Sequence, residues 1–222
     1  MTEIDERLEE LKSRAIVCRD CPLCETRSNV VFGEGNPNTP LVLVGEGPGA
    51  NEDATGRPFV GRAGQLLDQA LIENGITRQH VYICNVLKCR ASIIEGKSVR
   101  NRPPRPDEIA TCRHWLQEQL DIIKPLVILS LGAPSANQLI HKDFRMTRER
   151  GLFFPSDYAT AGIAALHPAY VLRQHGEAFD AARASLVADI AAARLKVIEI
   201  KKELKAEQQK IEKPEEIDLT LF

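Results

Sequence analysis

Four short apolar runs punctuate the chain, each bounded by glycine, proline or polar residues: Leu41-Val-Leu-Val44, Val81-Tyr-Ile-Cys84, Leu126-Val-Ile-Leu129 and Gly162-Ile-Ala-Ala-Leu166. Runs of this length with such boundaries predict strands buried on both faces. Between them the pattern becomes helical over Arg62 to Asn74, Asp107 to Ile123 and Ala133 to Ile140, and residues 3–14 form a further amphipathic stretch. Pro106 followed by Asp107 and Glu108 reads as a helix start, since proline suits the first turn and acids suit its dipole. Alternating strand and helix predict an α/β fold, a three-layer αβα sandwich around a mainly parallel four-stranded sheet. Ligands of such sheets bind beyond the C-terminal ends of the strands, which is where Gly45, Asn85, Gly132 and His167 fall. From Phe179 to about Gln209 the chain is Ala-rich and then Lys/Glu-rich, without Gly or Pro. This predicts one long helix whose later part is too polar to bury. The last ten residues, Lys213 to Phe222, are punctuated by Pro214 and predict disorder. The expected organisation is a catalytic body of residues 1–195 and an extension of residues 196–222.

Composition narrows the class. A chain of 222 residues with 43% hydrophobic content can bury one full core. No apolar run approaches the roughly 20 residues that span a bilayer, and the acidic, helix-prone N-terminus is unlike a targeting segment. A cytosolic, membrane-free protein is therefore expected, in which six cysteines act as metal ligands or reduced core thiols. The net charge of −2 does not announce a nucleic-acid binder, but its distribution is uneven. Lys88, Arg90, Lys97, Arg100, Arg102 and Arg105 lie within 18 residues that hold a single acid, Glu95. Such a cluster suits a DNA backbone, although a solvated loop would account for it too.

The cysteines are spaced as Cys18-x2-Cys21-x2-Cys24, with Cys84 and Cys89 around a strand end and Cys112 on a helix. Four thiolates suit zinc as well as an iron–sulfur cluster, and spacing alone leaves Cys24 open as a ligand. Four other segments carry candidate chemistry: Gly45-Glu46-Gly47-Pro48-Gly49, Phe59 within Gly56-Arg-Pro-Phe-Val60, Asn85, and His167-Pro168-Ala169-Tyr170. Taken singly, each has an ordinary structural explanation: a Gly-rich turn, a core Phe, a strand-end Asn, a core His. A phosphate loop at Gly45 to Gly49 is disfavoured, because no Gly-Lys-[Ser/Thr] follows and Ala50 replaces the last glycine of a dinucleotide fingerprint.

In order and spacing, these segments and cysteines resemble the family 4 (iron–sulfur) uracil-DNA glycosylases, from about Cys18 to Arg173. The resemblance implies a monofunctional glycosylase that flips uracil from DNA and hydrolyses its N-glycosidic bond. Uracil would stack on Phe59, be read by the Asn85 amide and touch Gly47 and Pro48. His167 would stabilise the leaving anion, and Glu46 would act on water and the cationic sugar, with Glu52 and Asp53 as neighbouring alternatives. Cys18, Cys21, Cys89 and Cys112 would hold a structural [4Fe–4S] cluster, and no metal or nicotinamide chemistry is implied for the reaction. Val171, Leu172 and Arg173 match a minor-groove wedge, and Lys88 and Arg90 would join Leu172 and Arg173 in binding DNA. The loop between Cys89 and Cys112 is about seven residues longer than usual in the family, with the surplus near Ile93 to Val99. A related group carries in this loop a His that bonds covalently to DNA, and residues 90–111 contain none. The insert is expected to extend the DNA surface or cover the cluster. The alternative function is an iron–sulfur protein that captures uracil-containing DNA with little turnover. Asp218-Leu-Thr-Leu-Phe222 resembles the bacterial sliding-clamp motif Gln-Leu-[Ser/Asp]-Leu-Phe, departing at its first position. That implies a clamp as partner of an otherwise monomeric enzyme in a bacterial cytosol.

Overall fold

In the computed structural model, which describes residues 2–96 and 98–212, one six-stranded sheet organises the chain. The parallel centre runs β3 (Tyr82–Asn85), β2 (Leu41–Gly45), β6 (Val127–Leu131) and β8 (Ala159–Ala165). These are the four expected strands, shifted by a few residues. Two antiparallel edges were not foreseen: β1 (Glu34–Gly35) beside β3 and β7 (Phe153–Ser156) beside β8. β1 has only two residues, too few for a hydrophobic period. β7 contains Pro155 and a register shift between Phe154 and Ser156, features tolerated at a sheet edge and not in its centre.

Alternation along the central strands divides the core in two. Leu41, Leu43, Val127, Leu129 and Ile163 pack on one face with α3 (Arg62–Glu73) and α8 (Glu177–Glu212). Val42, Val44, Cys84 and Ile128 pack on the other with α1 (Glu3–Ile16) and α4 (Pro106–Ile123). The period of two thus sends successive side chains into separate layers. Helix starts are fastened as the sequence anticipates. Thr2 and Asp5 cap α1 reciprocally, and Glu108 accepts from the Arg105 amide at 2.8 Å at the start of α4. α8 runs unbroken across residue 195, and Val197 and Ile200 are still buried in the core. The packed body therefore reaches Ile200, beyond the expected boundary. No helix among the described residues is long and apolar enough to cross a membrane. Lys97, the expected disorder of Lys213 to Phe222 and the clamp-like motif lie outside the described residues.

The insert forms a hairpin of β4 (Ser92–Glu95) and β5 (Ser98–Asn101), separate from the main sheet. Its base closes where Arg102 N–H donates to Ala91 O at 3.1 Å.

Candidate active site

The C-terminal ends of β2, β3 and β8 converge on one pocket. Its walls include Glu46, Gly47, Pro48, Phe59, Asn85 and His167, all six uracil-site residues expected from the sequence. Glu46 follows β2 directly, Asn85 is the last residue of β3, and His167 lies two residues past β8. Phe59 arrives from the connection between α2 (Ala50–Thr55) and α3.

Gly45 makes this convergence possible. A Cβ there would stand 2.4 Å from Asn85 Oδ1 and 2.6 Å from the Phe59 ring, so any larger residue would push the two apart. Asn85 is 2% exposed, and its Oδ1 has no hydrogen-bond partner. A buried acceptor left unpaired is costly in a protein interior. The Phe59 and His167 rings lie 5.8 Å apart between centroids.

His167 Nδ1 accepts from the Ala169 amide at 3.1 Å. Nε2 of the neutral ring therefore carries the proton and is a donor. Burial, together with the charge of Arg173, lowers the His167 pKa to about 4, against the opposing pull of Glu52. The ring is neutral at physiological pH.

The three nearby carboxylates have different duties. Glu52 Oε1 accepts from the amides of Val60 and Gly61, both at 2.9 Å, and its Oε2 accepts from Gly49 N–H at 3.1 Å. Asp53, 4% exposed, accepts from the Ser28 amide at 2.9 Å through Oδ1 and 3.1 Å through Oδ2. Both are engaged in holding backbone. Glu46 stands in the pocket wall with burial raising its pKa, the environment in which a carboxylate becomes a better base.

Cys18, Cys21, Cys89 and Cys112 line a second cavity, between α1, α4 and the segment after β3. Cys24 and Cys84 are not among its lining residues. Arg27 Nη1 donates to Cys89 Sγ at 3.2 Å and the Lys88 amide to Cys112 Sγ at 3.3 Å. Among the described residues no three His, Cys, Asp or Glu side chains close on a single metal ion. None of the residues lining this cavity comes from the hairpin, whereas Asn101 and Arg102 at the hairpin's end reach the pocket mouth. Among its described residues the insert lines neither the cysteine cavity nor the pocket itself; the strand that runs on from it brings Asn101 to the pocket.

The expected DNA surface needs revision. Lys88 is 1% exposed, and its ammonium donates to Asn85 O at 2.7 Å and Gln119 Oε1 at 2.5 Å. It points into the protein and cannot meet a phosphate. Arg102 forms a two-pronged ion pair with buried Glu108, and Arg90 braces the hairpin through Asn101 Oδ1 at 2.7 Å. Val171 is fully buried and Leu172 is packed against the core, while Tyr170 and Arg173 are exposed. The wedge therefore cannot use Val171. Arg62 and Asn101, which also line the pocket, escaped sequence reading, because nothing local distinguishes them from other polar residues, whereas Arg102 was read only as part of the basic cluster.

Residues 32–191 match the family model of the uracil DNA glycosylase superfamily. The chain is 47% identical over 172 residues to a type-4 uracil-DNA glycosylase of Thermotoga maritima, covering 76% of this chain and 85% of that one. It is 41% identical over 175 residues to a type-4 uracil-DNA glycosylase of Sulfurisphaera tokodaii, covering 75% and 76%. Another, from Archaeoglobus fulgidus, is 39% identical over 174 residues, covering 75% and 84%. With a pocket of this geometry and matches of this extent, the chain belongs to the uracil DNA glycosylase superfamily and, within it, to the type-4 uracil-DNA glycosylases.

Proposed function

We propose that the protein excises uracil from DNA by hydrolysing the N-glycosidic bond, leaving an abasic site. The observation that carries the base assignment is the orphaned Asn85 Oδ1 beside Phe59 and His167. Uracil presents an N3–H donor and an O4 acceptor to this amide. Cytosine reverses both, leaving buried groups unpaired on each side, a mismatch that discriminates strongly. Reaching the pocket requires the nucleotide to leave the stack, and Phe59 offers a replacement stacking surface.

As the bond breaks, negative charge grows on the uracil ring and positive charge on the sugar. The neutral His167 donates from Nε2 toward O2, and the Gly47 amide lies in the same wall with Pro48 shaping the turn. A preorganised donor of this kind lowers the barrier because it needs no reorganisation at the moment of reaction. Glu46 polarises the attacking water and stabilises the cationic sugar. On the DNA side, Arg173 and Tyr170 make the exposed contact, supported by Leu172, with Arg90 holding the hairpin at the rim.

Cys18, Cys21, Cys89 and Cys112 suit a [4Fe–4S] cluster: four thiols share one cavity, with N–H donors already aimed at two of the sulfurs. Saturated by four thiolates, the cluster would supply a structural fastening between α1, α4 and the strand that carries Asn85.

The test is labelled DNA with one uracil, incubated without added metal and followed by alkali and a denaturing gel. Alkali-dependent scission at the uracil is expected. Intact strand would overturn the proposal, and a protein–DNA adduct resistant to denaturation would favour the capture reading. One chain supplies every site residue named above, which suits a monomer. We place it in a bacterial cytosol, with the segment Asp218 to Phe222 tethering it to the sliding clamp. Deleting residues 218–222 should abolish clamp binding and leave uracil release unchanged, and equal clamp affinity for both forms would retire the tether.

A further inference from the structure

Phe59 is one of three non-glycine residues with positive φ among the described residues, at +53°. A bulky side chain resists this left-handed backbone, so the surroundings must impose it. They do so from two sides. Glu52 holds the amides of Val60 and Gly61, as described above. Opposite, Arg78 Nη1 donates to Pro58 O at 2.9 Å and Nη2 donates to Phe59 O. Gly64 leaves the room this needs: a Cβ there would lie 1.6 Å from Phe59 O.

The Arg78 guanidinium is itself fixed in place. Nε donates to Asp68 Oδ1 at 2.7 Å, and Nη1 also reaches Glu34 Oε1 at 2.5 Å. Glu34 in turn accepts from Arg57 Nε at 2.8 Å. The Arg78 side chain is 20% exposed, so these bonds are largely shielded from water. A planar fork with several donors is suited to holding two neighbouring carbonyls at once, which a lysine cannot reproduce.

We infer that Arg78 is a positioning residue for uracil excision: by gripping the carbonyls of Pro58 and Phe59 it fixes the plane of the Phe59 ring against which the base stacks. The inference rests on reading Phe59 as the stacking surface. Arg78 does not line the uracil pocket, so its influence passes through the backbone.

A double-mutant cycle on the full-length holoprotein tests this. Kinetics on uracil-containing single-stranded DNA are measured for Arg78→Met, Phe59→Leu and the pair, with iron content and thermal midpoint recorded for each. Phe59→Leu should lower kcat/KM by ~10-fold, the scale of a lost base–aromatic stack. Arg78→Met should cost a similar factor alone and almost nothing more when combined with Phe59→Leu, because coupled residues are not additive. Arg78→Lys keeps the charge facing Glu34 and Asp68 and so preserves the fold if Arg78→Met does not. It should retain iron and thermal midpoint while losing part of kcat/KM. Equal costs of either Arg78 substitution in the wild-type and Phe59→Leu backgrounds would assign Arg78 to general stability and overturn the inference. Wild-type rates for Phe59→Leu would instead remove the stacking reading, and this inference with it.

Discussion

His167 and Glu46 illustrate how position sets the chemistry of a side chain. An ordinary imidazole gains its proton near pH 6.5, yet burial and Arg173 hold His167 to about 4. Burial moves Glu46 the other way, raising its pKa from the ordinary carboxylate value. On the proposed mechanism the active forms are neutral His167 and ionised Glu46. Lowering the pH should therefore reduce the rate first through Glu46, with no break near 6.5. His167→Ala should cost ~10²-fold in the chemical step, the scale of one lost oxyanion donor, and leave that acid limb in place. The sign for stability follows from the same shift. Between 6.5 and about 4 the unfolded chain binds a proton that the folded His167 refuses, so stability rises with pH across that window. A rate break near 6.5 that vanishes in the alanine variant would contradict the neutral donor. Their convergence on one pocket was legible from motif spacing, and their protonation states were not. They depend on burial and on Arg173, which no local pattern records. Lys88 is the converse case. Beside Arg90 it reads as a surface cation, since lysine is almost never fully buried, but its partners Asn85 O and Gln119 are supplied by the fold.

Elements show the same division. Strands buried on both faces leave continuous apolar runs, so β2, β3, β6 and β8 were legible, as was the principle that the site lies at their C-terminal ends. β1 and β7 were not, because edge strands satisfy only one neighbour and need no strong pattern. The segment expected to act as a wedge is a further example. In α7 (Pro168–Val171) the helical turn sends Val171 inward to the core and leaves Tyr170 and, just beyond, Arg173 outside. A linear motif of three residues cannot convey that rotation. The insert was recognised by its length, but only folding showed that its two strands pair and deliver Asn101 and Arg102 to the pocket. The Arg78 grip is equally nonlocal. It joins β1, the Phe59 loop and α3, three segments that do not resemble one another in sequence.

At the level of the whole molecule, the sheet separates two layers with different fastenings. α3 and α8 are held on one face by apolar packing that includes Phe59, Leu67, Leu186 and Ile190. α1 and α4 share the other face with the cysteine cavity, where Ala15, Leu23 and Trp115 surround the thiols. The two halves should therefore differ in how readily they breathe. Hydrogen exchange measures such local opening, and contiguous units can open at lower free energy than the whole. On the proposed cluster assignment, stripping iron from the protein, or replacing Cys112 with Ala, should speed exchange at the amides of α1 and α4 while those of α3 and α8 stay slow. Cys24→Ala should leave both iron and exchange as they were. Uniform acceleration through both layers would mean that the body melts as one unit. On the expected outcome, an iron-starved molecule keeps the layer that packs Phe59 while the layer against Cys84, one residue before Asn85, loosens. On the proposed role of Asn85, such a molecule loses its ability to tell one pyrimidine from another before it loses its shape.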